Sequence, residues 1–266
     1  MKPFLILASV LVALALPSCL QNETTIHLNK DGSGTLVEET TFGAQAVAMF
    51  SQLAAMGGEA APADPLAELF SEEKAKSRAA KLGDGVTFEK TEPLTRGANR
   101  GGRVTYRFAD INTLKIAPGE GLKDSMPQAQ EAAAKAKPIT FTYVDGKLTM
   151  KMPEPEATPP MEGSKPAAQP DPSPQEIAMM KQMMGDMTMK FKIVAEPGIK
   201  STNATHHEGN TVTVMEMEMG KLLENPKTIM QLRDAGQSDA SKAMEIMKGV
   251  PGVKVETQKE VVIQLD

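Results

Sequence analysis

The sequence predicts an α+β fold, with antiparallel β-hairpins forming one or two sheets and helices packed on one face. Three observations predict it. Apolar and polar residues alternate with period two in short runs that meet at Gly-rich or Asp-Gly turns, over 24–42 and 139–152. Between such runs lie Ala-, Leu- and Met-rich stretches bounded by helix-start and helix-stop residues. The composition, 41% hydrophobic and 24% charged, is that of a globular chain rather than a disordered one.

Taken in order, the chain opens with Lys2 and an apolar run from Phe4 to Leu16, which ends at Pro17, Ser18 and Cys19, the sole cysteine. The run is too short for a spanning helix and carries the flanks of a secretory signal. Leu16-Pro17-Ser18-Cys19 resembles the lipobox of a bacterial lipoprotein signal peptide. The resemblance implies a signal peptide over 1–18, cleavage after Ser18, and palmitate-type lipidation of Cys19. Two or more acyl chains, each burying about 0.8 kcal/mol per CH₂, hold a protein stably on a bilayer. Residues 20–23 read as a tether that spans at most ~14 Å.

The first hairpin runs from Thr24 through the Asp31-Gly32-Ser33-Gly34 turn to Phe42. Two helices follow, over 44–56 and over 64–82. The second has Asp64 as N-cap, Pro65 in its first turn and Gly83 as its stop, and 57–63 joins the two. Strands return over 86–89 and 103–108, connected by the Gly-rich, basic piece 96–102, read as a loop. The stretch 110–137 is weakly patterned, with an Ala-rich helix or insertion over 128–137.

The Asp145-Gly146 turn of the 139–152 hairpin is the strongest hairpin signal in the chain. Eight prolines between Pro153 and Pro174 mark an extended linker or loop over 153–174. That tract separates a lipid-anchored region, 19–152, from a C-terminal α+β region, 175–266; whether both share one sheet stays open. Beyond it come a Met-rich helix over 174–187 with Ser173 as N-cap and a strand over 188–194. A turn at Glu196-Pro197-Gly198 precedes an extended piece over 199–205. In the strand 211–219 the apolar phase slips between Val214 and Met215, which predicts a bulge. Helices near 226–234 and 240–248 lead to a last strand pair, 253–256 and 261–265.

Chemistry-bearing residues are few. His27, His206 and His207 lack the spacing that would set two ligands on one helix face. No nucleophile elbow, P-loop or dinucleotide fingerprint occurs. We therefore expect no catalytic residues, no cofactor and no metal, and a protein that is not an enzyme. A net charge of −5 without a Lys/Arg cluster excludes nucleic acid as partner and electrostatic binding to anionic lipid.

Asp31 and Ser33 lack the rest of a calcium loop and read as turn chemistry. Arg96, Arg100 and Arg103 could hold an anion, with a solvated loop preferred. Asn203-Ala204-Thr205 has the form of a glycosylation acceptor and reads as a polar turn. Methionine is abundant, 19 in all, and dense at Met179, Met180, Met183, Met184, Met187, Met189, Met215, Met217 and Met219. Thioethers bind Cu(I), and with His206 and His207 nearby one reading is a copper(I) site. The preferred reading is core filler, because these methionines sit where periodicity already demands apolar residues.

The body of the chain is similar to a family of uncharacterised lipoproteins that includes the mycobacterial LppM-type domain. The likeness rests on the Asp31 to Gly34 hairpin after the anchor, the Pro197-Gly198 turn, Asn203, and the Gly209 to Val212 strand start. It implies an α+β fold with helices against an antiparallel sheet, and lipid or glycolipid binding. The chain departs from the family in 110–137, in 153–174 and in having no spanning helix near its C-terminus, and no functional residue transfers. Together these readings predict an outer-envelope lipoprotein, anchored facing the periplasm or at the cell surface. Its expected role is a non-catalytic binding or structural module whose partners are the membrane and a protein or amphiphile. Two alternatives are an amphiphile carrier with an apolar cavity and copper(I) sequestration.

Overall fold

A computed structural model describes residues 20–56, 64–117, 137–153, 173–238 and 240–266. The expected signal peptide over 1–18, Cys19, the joint 57–63, the Ala-rich stretch up to residue 136 and the Pro-rich tract 154–172 lie outside the described residues. The architecture is α+β, with thirteen strands in two sheets among those residues.

The larger sheet grows outward from β1 (Leu20–Leu28). On one side β1 pairs antiparallel with β2 (Gly34–Phe42), followed by β4 (Asn99–Phe108) and the edge strand β3 (Thr87–Arg96). On the other side β8 (Thr188–Ala195) runs parallel to β1, in register from Gln21↔Thr188 to Leu28↔Ala195. β11 (Thr211–Glu218) joins β8, and the short strands β10 (His207–Glu208) and β12 (Val253–Val255) both border β11. The parallel β1–β8 pair is not a hairpin, so pattern reading had no turn by which to find it. The register shift in β11 falls between Thr213 and Met215, where the apolar phase slips.

Residues 20–23 are not a tether: they are the first residues of β1. Leu20 sits opposite Phe42 and is 8% exposed, and Asn22 Nδ2 donates to Thr40 Oγ1 at 2.8 Å. Burying Leu20 and completing the ladder with β2 outweighs leaving the segment in solvent. The Gly-rich piece 96–102 is likewise strand rather than loop, with its turn confined to Gly97 and Ala98. Gly101 and Gly102 are in β4 because neighbours press on it. A Cβ at 101 would lie 1.8 Å from the Thr40 carbonyl oxygen, and one at 102 would lie 2.4 Å from Phe70 Cγ.

The helical stretch 64–82 is two helices. α1 (Ala44–Met56) precedes α2 (Pro65–Leu69), capped by Asp64, and α3 (Glu72–Leu82) starts afresh at Ser71, whose hydroxyl accepts from Lys74 N. The break lets the Phe70 ring stack on Gly102 while its carbonyl accepts from Thr91 Oγ1 at 3.0 Å.

The second sheet runs β5 (Lys115–Ile116), β6 (Ile139–Val144), β7 (Lys147–Lys151), β13 (Glu260–Leu265), β9 (Ile199–Thr202). Asp145 and Gly146 turn β6 into β7 with φ of 50° and 75°, the left-handed pair that a two-residue hairpin requires. Strands on either side of the Pro-rich tract enter both sheets, through β1–β8 and β7–β13. β12 and β13 do not pair with each other; they part into different sheets at Glu256. That carboxylate is fully buried and accepts from Thr205 N, Thr205 Oγ1, Thr257 N and Gln258 N at 2.7–2.8 Å, which pins the crossing between the sheets.

The inner faces of the two sheets share one core with α3. Ile26, Leu36, Tyr106 and Phe108 meet Phe141, Leu148, Met150 and Ile263, and Ala75, Ala79 and Leu82 close the side. A second apolar cluster, Leu20, Phe42, Ala46 and Leu66, lies under α1 and α2. The remaining helices are α4 (Pro174–Met184), α5 (Met219–Leu223), α6 (Pro226–Ser238) and α7 (Ala240–Lys248). α4 carries a full capping box between Ser173 and Glu176.

Candidate functional site

Period two places Leu20, Asn22, Thr24, Ile26 and Leu28 of β1 on the inner face, and Leu36, Glu38, Thr40 and Phe42 of β2 beside them. A polar band, Asn22, Thr24, Glu38 and Thr40, therefore separates the two apolar clusters. Opposite it α3 presents Arg78, whose Nη2 lies 3.0 Å from Glu38 Oε1, with the two side chains 14% and 15% exposed. The Tyr106 hydroxyl also bonds Glu38, and burial, helped by that carboxylate, pushes the phenol pKa well above its ordinary value.

Between this band and the second sheet lies a cavity of about 100 Å³. Ile116, Ile139, Met152, Met189, Phe191 and Met215 form its apolar walls, and Asn22, Thr24, Glu38 and Arg78 its polar side. Apolar walls with a few convergent polar groups are the usual make-up of a ligand site. The volume decides what fits: an engineered 150 Å³ apolar cavity takes benzene, and drug-sized ligands need about 300–1,000 Å³. The space bounded by the described residues takes a small apolar group, not a whole amphiphile.

Of the described methionines, Met152, Met189 and Met215 face the inter-sheet cavity, and the others are dispersed. Met150 is buried between the sheets, Met187 packs against the Leu20–Phe42 cluster, and Met179 is 58% exposed. Met189 and Met217 are cross-strand partners, while the chain turns into α5 at Met219 and leaves the strand face. His207 pairs with Val212, so it lies five residues along β11 from Met217, roughly 17 Å at strand spacing. His206 and His207 border a polar surface cleft with Lys192, Thr213, Glu216 and Lys254. Among the described residues no group of three or more His, Cys, Asp or Glu side chains is placed to hold a metal ion.

The arginines of the Gly-rich piece hold carboxylates of the chain itself. Arg96 and Arg103 both bond Glu39, and Arg100 Nη2 lies 3.2 Å from Asp64. The pairs with Glu39 belong to a row that crosses the outer face of the larger sheet in register: Lys254, Glu216, Lys190, Glu23, Glu39, Arg103, Glu92. Lys190 and Lys254 each sit 2.8 Å from Glu216 and lower its pKa from 4.5 to about 2, while Lys192 holds Glu23 at 2.9 Å.

Asp31 accepts from both the hydroxyl and the amide of Ser33, which lowers its pKa, and closes the first turn. Asn203 is tied into β13, donating to the Glu260 carbonyl and accepting from Val262 N. His27 Nδ1 lies 2.8 Å from Glu196. Sequence reasoning missed the Glu38–Arg78 pair and the Glu256 nest. The first had a signal, because Glu38 falls in the inward phase of β2; the second had none, because the Thr257 and Gln258 amides are ordinary turn donors and the Thr205 amide and hydroxyl that complete it lie 51 residues away.

No family model matches this chain, and no curated protein does. Among solved structures it is similar to the folded domain of the Mycobacterium tuberculosis LppM protein, determined by NMR. The TM-score is 0.32 at 8% identity, over 77% of this chain and 85% of that one. No helix among the described residues is long and apolar enough to cross a membrane, which says nothing of strands.

Proposed function

We propose that the chain is an envelope lipoprotein, tethered through acylated Cys19, that works as a non-catalytic binding or structural module. The observation that carries this reading is the position of β1. It begins at Leu20, next to the lipobox cysteine, and lies in the interior of the larger sheet. A lipid on Cys19 would then hold the folded body directly against the bilayer with no flexible stalk. Recognition through a surface is favoured over enclosure, because the inter-sheet cavity is several-fold smaller than an amphiphile site.

Mass spectrometry of protein purified from membrane fractions should find diacylglycerol on Cys19, and Cys19→Ala should accumulate as uncleaved precursor. Mature wild-type protein recovered in the soluble fraction with a free thiol would overturn the reading. The carrier reading draws on the apolar walls of the cavity. It predicts lipid co-purifying at one per chain and saturable binding of a fluorescent fatty acid; the surface module predicts neither.

A further inference from the structure

The strand ends give the molecule two unlike poles. At one pole β1 starts beside Cys19, β2 ends and leads into α1, α4 leads into β8, and β11 ends and leads into α5. At the other pole lie the Asp31 turn, the Glu196 turn and the Gly209 turn, all polar. Leu20 pairs with Phe42 and Gln21 with Thr188, so α1 and the end of α4 stand at the pole where the lipobox cysteine enters.

This pole carries apolar surface that the fold leaves uncovered. α1 contains no charged residue in thirteen, whereas the neighbouring α3 is charged at six of eleven positions. Val47 and Phe50 of α1 pack inward on the Leu20–Phe42 cluster, while Met49 points away and is 55% exposed. Met179 on α4 is 58% exposed. Together with Val144, on the β6–β7 hairpin, these are the exposed large hydrophobic side chains among the described residues. The charged row lies on the outer face of the sheet; at this pole the charges include Glu176 and Lys181 of α4 and Arg96 and Arg100 at the β3–β4 turn.

We propose that the α1–α4 pole is a docking face for the bilayer that holds the N-terminal lipid, with Met49 and Met179 seated in its interfacial layer. The inference rests on the lipidation of Cys19 proposed above. One residue of chain spans about 3.6 Å, so an acylated sulfur at 19 brings Leu20 and the helices around it to the headgroup level. α1 carries no charge to desolvate at an interface, and on its outward side, among Gln45, Ala48, Ser51 and Gln52, Met49 is the large apolar group. The opposite pole, with the Asp31 and Glu196 turns, then faces away from the membrane. The lipid sets the chain on the membrane, and the exposed methionines orient it there.

The test uses the thiol economy of the chain. With Cys19 acylated, the mature wild type offers no thiol, so Met49→Cys, Met179→Cys and Val144→Cys each create a single site for a maleimide fluorophore. The full lipoproteins are reconstituted in phosphatidylethanolamine/phosphatidylglycerol vesicles containing a shallow doxyl-labelled phosphatidylcholine. Labels at 49 and 179 should lose fluorescence to the doxyl lipid and resist aqueous iodide, and the label at 144 should do the reverse. Wild-type urea midpoints in all three variants show that the fold is kept. Equal doxyl quenching at all three sites, with wild type refusing maleimide, overturns the docking face and leaves the anchor standing. Maleimide labelling of the wild type at Cys19 overturns the anchor, and the docking face with it.

Discussion

The Glu38–Arg78 pair is the feature on which the inner polar band depends, and its energetics can be worked from the structure. At 3.0 Å the attraction is about 5 kcal/mol at an effective dielectric of 20. Desolvating two side chains that retain only 14% and 15% of their exposure takes back most of that. Removing one partner is a different matter, because the other charge is then left nearly buried. Such breaks cost about 3–5 kcal/mol when burial is complete. With the residual exposure seen here we expect about 2–3 kcal/mol for Glu38→Leu, including the loss of the acceptor for Tyr106.

Glu38→Gln keeps an acceptor for both partners and should cost about half as much. Glu38→Leu combined with Arg78→Leu removes both charges and should recover at least about 1 kcal/mol relative to Glu38→Leu alone. The assay is urea unfolding of the mature protein in detergent, followed by far-UV circular dichroism, with the three variants compared at one m-value. Glu38→Leu within about 0.5 kcal/mol of wild type, the range of ordinary surface substitutions, would refute the reasoning. So would a double variant no more stable than the single.

Three further outcomes follow from the geometry. Lys190 and Lys254 hold the Glu216 carboxyl at about 2, below its unfolded value of 4.5. Its contribution is therefore complete above pH ~4.5 and lost as the pH falls toward 2. Because both lysines are partly exposed, Glu216→Gln should cost about 1–2 kcal/mol at pH 7 and nothing at pH 2; an equal loss at both ends of a pH series of urea midpoints would contradict this. Glu256→Ala orphans three amides and the Thr205 hydroxyl, so stability should fall by about 3 kcal/mol or more, with the amides of Thr205, Thr257 and Gln258 exchanging early by NMR. Gly102→Ala forces a methyl into the Phe70 ring and should cost about 1–3 kcal/mol, of which Phe70→Leu in the same chain recovers a part; additive losses would show the contact is not the cause.

Local chemistry made much of the fold legible. The Asp145-Gly146 hairpin, the Ser173 cap, the Gly83 stop and the slip in β11 each depend on residues within a few positions, so the sequence displays them directly. The misread pieces share one cause. Residues 20–23 and 96–102 look like linker and loop because they are polar or glycine-rich, yet both are strand, for reasons supplied by distant partners. Leu20 needs Phe42 and Leu66 to bury it, and Gly102 is glycine because Phe70 lies over it. The break between α2 and α3 follows from that same contact.

Taken alone, the order of residues determined the fold class, the hairpins and the residues that alternate inward. It also displayed the short apolar run that ends at the sole cysteine. Only the folded chain decided that β8 runs parallel to β1, that β12 and β13 separate at a buried carboxylate, and that Arg96 and Arg103 answer Glu39. Propensity and periodicity act over a turn or a strand, whereas a strand's neighbour and a charge's partner are chosen by which distant surfaces bury together at least cost.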